Sequence, residues 1–366
     1  MGNSEAREAS ERVIAGKPSR IAIVGASSLA GKELSDALAE SLLAACDVVL
    51  LDAEEAAGQV TTAGDDVSFI QAIDGDSFAG VDFVFFADDP DTTRKYWKTA
   101  RAAGASIVDM TYALESEPGV MVRGPWIVPA RSPENQIKIR AQEPDLTTPA
   151  VVSAHPAALA LVLIASRLHA KRPVRVMATT LFEPASEHGR AAMDELHQQT
   201  VSLLSFQSVP REQYDAQVAF NLLPSLGEAA RVRLAATRER IGSHYATLSA
   251  GTAPELALQL VQAPVFHGYV ASVLVELEGT ASREQMEAAV AGEHVDVVGA
   301  ESDPPSNVSA AGQPEILVRM DPASAEDGPS PRFWLWMAVD NLKLAALNAI
   351  ACANELGRLR PQGKVQ

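Results

Sequence analysis

Residues 20–42 read RIAIVGASSLAGKELSDALAESL, and the way this stretch folds decides how the rest is read. Arg20 to Val24 has the continuous apolar character of a strand buried on both faces, and the run ends at Gly25. Beyond it Leu29, Leu34, Leu38 and Leu42 recur at helical spacing, so the segment is strand, tight turn, helix. Gly25 to Gly31 form a G-x-x-x-x-x-G turn, and glycines there let a phosphate approach the backbone and the helix N-terminus. The middle Gly of the usual dinucleotide pattern is replaced by Ser28, whose Cβ narrows that approach. Two readings follow: a dinucleotide turn with contacts at Gly25, Ser27, Ser28, Leu29, Ala30 and Gly31, or a doubly wound domain whose turn binds no nucleotide.

Working outward, strands are expected at Asp47 to Leu51, Phe83 to Phe86 and Ser106 to Asp109, with a helix from Asp91 to Ala103 stopped by Gly104. Strands alternating with helices imply a parallel sheet. After the second strand comes LLDAEEAAGQ, where Asp52 suits the free ribose hydroxyls of NAD and where Glu54 and Glu55 add charge that repels a 2′-phosphate. The same run also reads as a solvated acidic turn. A short strand at Trp126 to Pro129 precedes the polar, Pro-bearing stretch Arg131 to Pro149, where the composition marks a boundary.

The second region opens with VVSAHPAALALVLIASRL, a strand that breaks at His155 and Pro156 into a helix, with Pro at the first helical position. Further strands are expected at Val174 to Phe182, Val218 to Leu223, Tyr269 to Glu278 and through FWLWMAV, with helices from Gly189 to Leu204 and from Asp340 to a stop at Gly357.

The composition narrows the function classes. The chain has 366 residues and a net charge of -17, so nucleic acid and anionic membranes are poor partners. Its longest apolar stretch, Ala157 to Ala165, is too short to cross a bilayer, and the acid-bearing N-terminus has no signal-peptide core. Cys46 and Cys352 are too few for a disulfide framework and fit a reducing compartment, read here as the cytoplasm. No His pair is spaced as H-x-x-x-H or stands beside a Cys, so no metal site is expected. His155 and His267, at strand-to-turn positions, remain site candidates, each with a hydrogen-bonded structural histidine as its alternative.

Seven stretches in register resemble the aspartate-semialdehyde dehydrogenase family: IAIVGASSLAGKEL, FVFFADDPDTTRKYWKTARAAGASIVDMT, VVSAHPAALALVLIASRL, TTLFEPASEHGRAAMDELHQQTVSLL, VAFNLLPSLG, APVFHGYVASVLVELE and WMAVDNLKLAALNAI. The resemblance implies an α/β chain: a Rossmann-type doubly wound parallel sheet, an inserted α+β substrate and dimerisation domain, and a C-terminal helix returning to the first domain. The expected boundaries are a tail over residues 1–19, an NAD(P)-binding domain over 20–149 completed by 338–366, and the inserted domain over 150–337. Asn341, at the start of the closing helix, joins Asp52 and the turn residues as a cofactor-contact candidate.

The family's reaction runs through a Cys thioester at a helix N-terminus, a proton-shuttling His and a nicotinamide hydride. Carried across, the family's Asn-Cys pair falls on His155 and Pro156, its base on Tyr269, its carboxylate-binding Arg on Gln262 and its phosphate-gripping Arg on Glu115. Its nucleotide loop falls on Asp88, Asp89 and Pro90. The first expectation is therefore a homodimeric, non-catalytic binding or interaction homologue in a family of amino-acid biosynthesis, holding NAD weakly or not at all and NADP less well. The alternative is an NAD(P)-dependent oxidoreductase acting on an aldehyde or oxo group of a changed substrate, with His155, His267 or Tyr269 as acid/base.

Overall fold

The computed structural model describes residues 20–63, 66–127, 143–323 and 328–359. The expected 1–19 tail, Arg131 and part of the Trp126 to Pro129 strand lie outside them; Trp126 itself is in a turn. The chain divides into two compact units, the first formed by 1–125, 143–153 and 349–366 and the second by 126–142 and 154–348. The divisions at 153/154 and 348/349 stand 4 and 11 residues beyond those expected at 149/150 and 337/338.

Unit 1 is built on seven parallel strands: β1 (Arg20–Val24), β2 (Asp47–Asp52), β5 (Gln71–Ala72), β6 (Phe83–Phe86), β7 (Ser106–Asp109), β8 (Met121–Arg123) and β9 (Val151–Ser153). Their order is β5-β2-β1-β6-β7-β9-β8. Ile21 to Val24 and Phe83 to Phe86 are wholly buried, which is why they read as unbroken apolar runs. A separate antiparallel pair, β3 (Val60–Ala63) and β4 (Asp66–Phe69), has no counterpart in the sequence reading. Helix α1 (Leu29–Ala39) is capped by Ser28, whose hydroxyl accepts from Gly31 N, and α2 (Pro90–Ala102) by Asp89, which accepts from Asp91 N and Thr92 N.

Unit 2 holds a six-stranded mixed sheet of order β11-β10-β12-β15-β14-β13. Its strands are β10 (Val174–Glu183), β11 (Leu256–Gln262), β12 (Tyr269–Ala281), β13 (Val295–Val297), β14 (Ile316–Pro322) and β15 (Ser330–Val339). Helix α3 (Pro156–Lys171) is buried from Pro156 through Ala165, an apolar rod that packs against α5 (Leu234–Ser249) and α6 (Arg283–Val290). Helix α4 (Gly189–Leu204) has the expected bounds, and a short α7 (Asn307–Ala310) lies between β13 and β14.

Two expectations are corrected. Val218 to Leu223 is no strand: Val218 N and Ala219 N both donate to Gln199 Oε1, so a side-chain amide takes the place of a ladder, and only Leu223 bridges to Gln262. The closing helix α8 (Asn341–Leu359) runs through Gly357 rather than stopping there. A Cβ on Gly357 would sit 3.3 Å from the Phe83 ring, so this glycine serves packing rather than termination.

Gly31 is the tightest point of the first turn, since a Cβ there would lie 2.1 Å from Gly25 O. Gly31→Ala should therefore lower stability by about 1–3 kcal/mol in urea unfolding. Gly279→Ala, where a Cβ meets nothing within 4 Å, should change it by no more than about 0.5 kcal/mol. Equal effects at the two sites would refute this packing role.

Candidate functional site

In unit 1 the turn after β1 keeps half of what a dinucleotide needs. Gly25 sits at φ 88° and Gly31 allows close helix-to-turn packing, so the α1 N-terminus is presented to ligand. Ser28 is drawn aside rather than standing in the approach: its hydroxyl donates to Ala87 O at 3.1 Å while accepting from Gly31 N at 2.9 Å. Acids hold the other half. Asp52 Oδ2 accepts from Ser27 N at 2.8 Å and its Oδ1 from Ala53 N at 2.8 Å, so a turn amide that might face a phosphate already faces a carboxylate. Asp88 presses on Gly25, where an added Cβ would meet Asp88 Cβ at 2.4 Å. Burial, then the charges of Asp52 and Asp89, push the Asp88 carboxyl above its usual range. Asp89 is occupied by capping α2; burial opposes its charge, but hydrogen bonds from Thr92 and Asp91 N hold its carboxyl low. The turn thus fits the backbone half of a dinucleotide site and opposes the anionic half.

The richer chemistry is in unit 2, where three histidine–carboxylate contacts join one polar cluster. His155 Nε2 lies 3.0 Å from Glu187 Oε1, His188 Nε2 is 3.2 Å from Glu183 Oε1, and His267 Nε2 is 2.8 Å from Asp340 Oδ2. His155, 0 % exposed, is the N-cap of α3. Its Nδ1 accepts from Ala157 N at 3.2 Å, and its backbone N–H donates to His244 Nδ1 at 3.0 Å. Pro156 follows at the first helical position, where the lost N–H costs nothing.

Asn341 ties the contacts together. Its Oδ1 accepts from Gly268 N and Ser186 Oγ, both at 3.1 Å, and its Nδ2 donates to Glu187 Oε2 at 3.3 Å. Ser186 Oγ is also 3.1 Å from His267 Nδ1. The chain of contacts therefore runs from His155 through Glu187, Asn341 and Ser186 to His267 and Asp340. Asp340 is further fixed by Gly312 N at 2.8 Å and Lys343 N at 2.9 Å. Both amide ends of Asn341 are committed inside unit 2, which leaves the cofactor contact expected of it without an observation in its favour. Of the candidates, His155 and Tyr269 are sealed at 0 % and 1 % exposure, whereas the His267 side chain is 28 % exposed.

Glu183, Ser186, Glu187 and Asp340 escaped the sequence reading. Their signal was Glu183, Glu187 and His188 within six residues at a strand-to-helix junction, charges that a junction of that burial does not need. Burial disfavours the charged form of each. For Glu187 it is outweighed by His155, His188 and Asn341, which hold the carboxyl below its usual range; for Asp340 it is outweighed by His267 and two backbone amides. For His188 it is outweighed by Glu183 and Glu187, so the imidazole is held above its usual range.

The signs follow. His188 stabilises the fold fully below its unfolded value of about 6.5, and that stability is lost as pH rises through its higher folded value. Glu187 and Asp340 stabilise above their unfolded values near 4, a contribution lost on acidification. Urea midpoints should thus fall on both sides of a maximum between about pH 4.5 and 6.5. His188→Asn should flatten the alkaline limb and leave the acid limb in place; an unchanged alkaline limb would contradict the pairing.

The comparisons with known proteins agree with this architecture. Residues 20–143 match the family "Semialdehyde dehydrogenase, NAD binding domain" and residues 166–343 match "Semialdehyde dehydrogenase, dimerisation domain". The chain is 29 % identical over 339 residues to the USG-1 protein homolog of Pseudomonas aeruginosa, covering 91 % of this chain and 96 % of that one. It is 25 % identical over 346 residues to the aspartate-semialdehyde dehydrogenase of Rickettsia bellii, covering 93 % and 98 %. A solved probable aspartate-semialdehyde dehydrogenase from Pseudomonas aeruginosa superposes with a TM-score of 0.78 at 28 % identity, over 93 % and 98 % of the two chains. With both family domains matched in order, on a parallel Rossmann-like sheet followed by a mixed sheet, this chain belongs to the semialdehyde dehydrogenase family.

Proposed function

We propose that this chain is a member of the semialdehyde dehydrogenase family that does not run the thioester reaction and works as a homodimeric, ligand-binding protein. The observation that carries the reading is the start of α3. At the positions where the resemblance puts Asn-Cys, a proline ring offers no nucleophile, and His155 has its ring locked between Ala157 N and Glu187. No Cys lies between Cys46 and Cys352, so none follows β9 into α3, and Cys352 is buried with its thiol pushed far above its usual range by burial. The purified protein should show no phosphate-dependent oxidation of aspartate semialdehyde with NAD or NADP, and Pro156→Cys should not restore it. Turnover of about 1 per second or more in either protein would sink the reading.

A second reading rests on His267. Held by Asp340 on one nitrogen and facing Ser186 with the other, and partly open to solvent, it has the build of a general acid/base. An oxidoreductase using it would act on an aldehyde or oxo group by hydride exchange with a nicotinamide, His267 moving the accompanying proton, without covalent attachment. NAD is the cofactor the turn tolerates better, because Asp52 and the acids after it oppose a 2′-phosphate. Calorimetry should give weak NAD binding and weaker NADP binding; sub-micromolar NADP affinity would mean that the acidic turn points away from the nucleotide.

The dimer follows from the unit 2 sheet. Along β15 Phe333, Leu335 and Met337 are buried, while the alternate Trp334 and Trp336 remain 47 % and 38 % exposed, so one sheet face packs the core and the other presents two tryptophans beside the Arg332–Glu276 ion pair. We assign that face to a second copy, with an obligate-sized interface of about 2,000 Å² or more. Sedimentation at micromolar concentration should give about 77 kDa, twice the 38.7 kDa chain, and Trp334→Glu should shift it toward monomer. A monomeric parent protein would refute the assignment.

A further inference from the structure

Beneath the histidine–carboxylate contacts, the ends of three strands set polar side chains side by side on the buried face of the unit 2 sheet. Glu183 ends β10 and pairs in register with Gln262, which ends β11; Tyr269 begins β12, one step past the Phe182–Val270 pair. Glu183 and Gln262 are both 0 % exposed. Cross-strand partners on one face carry their Cβ atoms about 5 Å apart, close enough to share one small ligand.

The orientation of Gln262 is fixed, because its Nε2 donates to Glu183 O at 3.0 Å and to Ala263 O at 3.2 Å. Its Oε1 therefore faces away as a pure acceptor, and among the described residues it receives no hydrogen bond. Glu183 Oε2 is in the same position, its other oxygen having only the His188 contact. Buried acceptors without donors cost about 1–3 kcal/mol each, more for charged groups, so a native cluster of them marks a place that some donor fills.

The acceptors select the donor. Glu183 faces His188 at 3.2 Å through Oε1, while its Oε2 and Gln262 Oε1 have no donor among the described residues. Beside a buried carboxylate a cationic donor makes the stronger hydrogen bonds. Among the described residues no group of three or more His, Cys, Asp or Glu is arranged to hold a metal ion. An ammonium group, which offers several directed hydrogens to separate acceptors, fits what a metal does not.

We propose that the Gln262–Glu183 pair at the strand ends binds a compact protonated primary amine, either free ammonium or the amino end of a small molecule. This deepens the ligand-binding reading above by naming a ligand class opposite in charge to the carboxylate that an Arg at position 262 would attract.

Thermal unfolding of the full chain in ammonium, methylammonium, sodium and tetramethylammonium chloride, at matched ionic strength, tests it. Saturable stabilisation by ammonium or methylammonium, absent with the other two salts, is expected. A stronger response to ammonium indicates a resident ion, and a stronger response to methylammonium indicates a chain-borne amine. Glu183→Gln should weaken the half-saturating concentration at least tenfold. Should that variant not fold, Gln262→Arg decides, because it supplies the cation covalently and should raise the melting temperature without amine and abolish the response to it. No saturable response, an equal response to all four salts, or a full response in Gln262→Arg would overturn the proposal. These results are separable from the thioester question: absent amine binding in a protein inert toward aspartate semialdehyde removes only the amine site, while turnover removes the non-catalytic reading whatever amines do.

Discussion

A charge taken out of water must find a partner, and in unit 2 that requirement organises the end of the sheet. Glu183, Glu187 and Asp340 are each met by a histidine, at 3.2, 3.0 and 2.8 Å. Stripping a carboxylate of water costs several kcal/mol even after relaxation, and breaking one such buried pair typically costs about 3–5 kcal/mol. The surrounding structure is arranged to keep the contacts intact. Pro156 starts α3 so that His155 can cap it, Gly268 N and Ser186 hold the Asn341 amide, and Gly312 N and Lys343 N hold Asp340. Apolar residues of the same volume would stabilise this region at least as well, so such a cluster is better explained by a ligand or a reaction than by folding alone.

The two units tell a consistent chemical story when each is considered by itself. At the unit 1 turn, glycine geometry that welcomes an anion is retained, but Asp52 and Asp88 have moved carboxylates against it. In unit 2 the position read as an anion-binding Arg is a Gln whose free oxygen is an acceptor. On the proposed reading, both places would suit neutral or positive ligands better than negative ones, in a chain whose net charge is -17. No described helix is long and apolar enough to cross a membrane.

Much of the fold was legible because its physical causes are local. β1, β2, β6 and β7 are buried on both faces and so appear as apolar runs between turn signals, and α4 has its expected bounds. Helix α5 was not legible, since its buried stripe mixes Thr237, His244 and Ser249 with Ile241 and Leu248 and blurs the period. Val218 to Leu223 misled because an amide 19 residues upstream, Gln199, decides its conformation. The site was legible as positions and not as partnerships. His155, His267 and Tyr269 stood out singly, but that His267 would meet Asp340 from 73 residues away, or that Asn341 would bridge Glu187 to Gly268, depends on tertiary contacts that no spacing encodes.

The central claim is that this family fold carries no covalent catalytic centre. Its most direct test is intact-mass spectrometry of the protein incubated with aspartate semialdehyde and either nicotinamide cofactor, followed by acid quench. The chain should keep its unmodified mass of 38.7 kDa. A stoichiometric acyl adduct, mapped to Ser186, His155 or any other member of the unit 2 cluster, would contradict it.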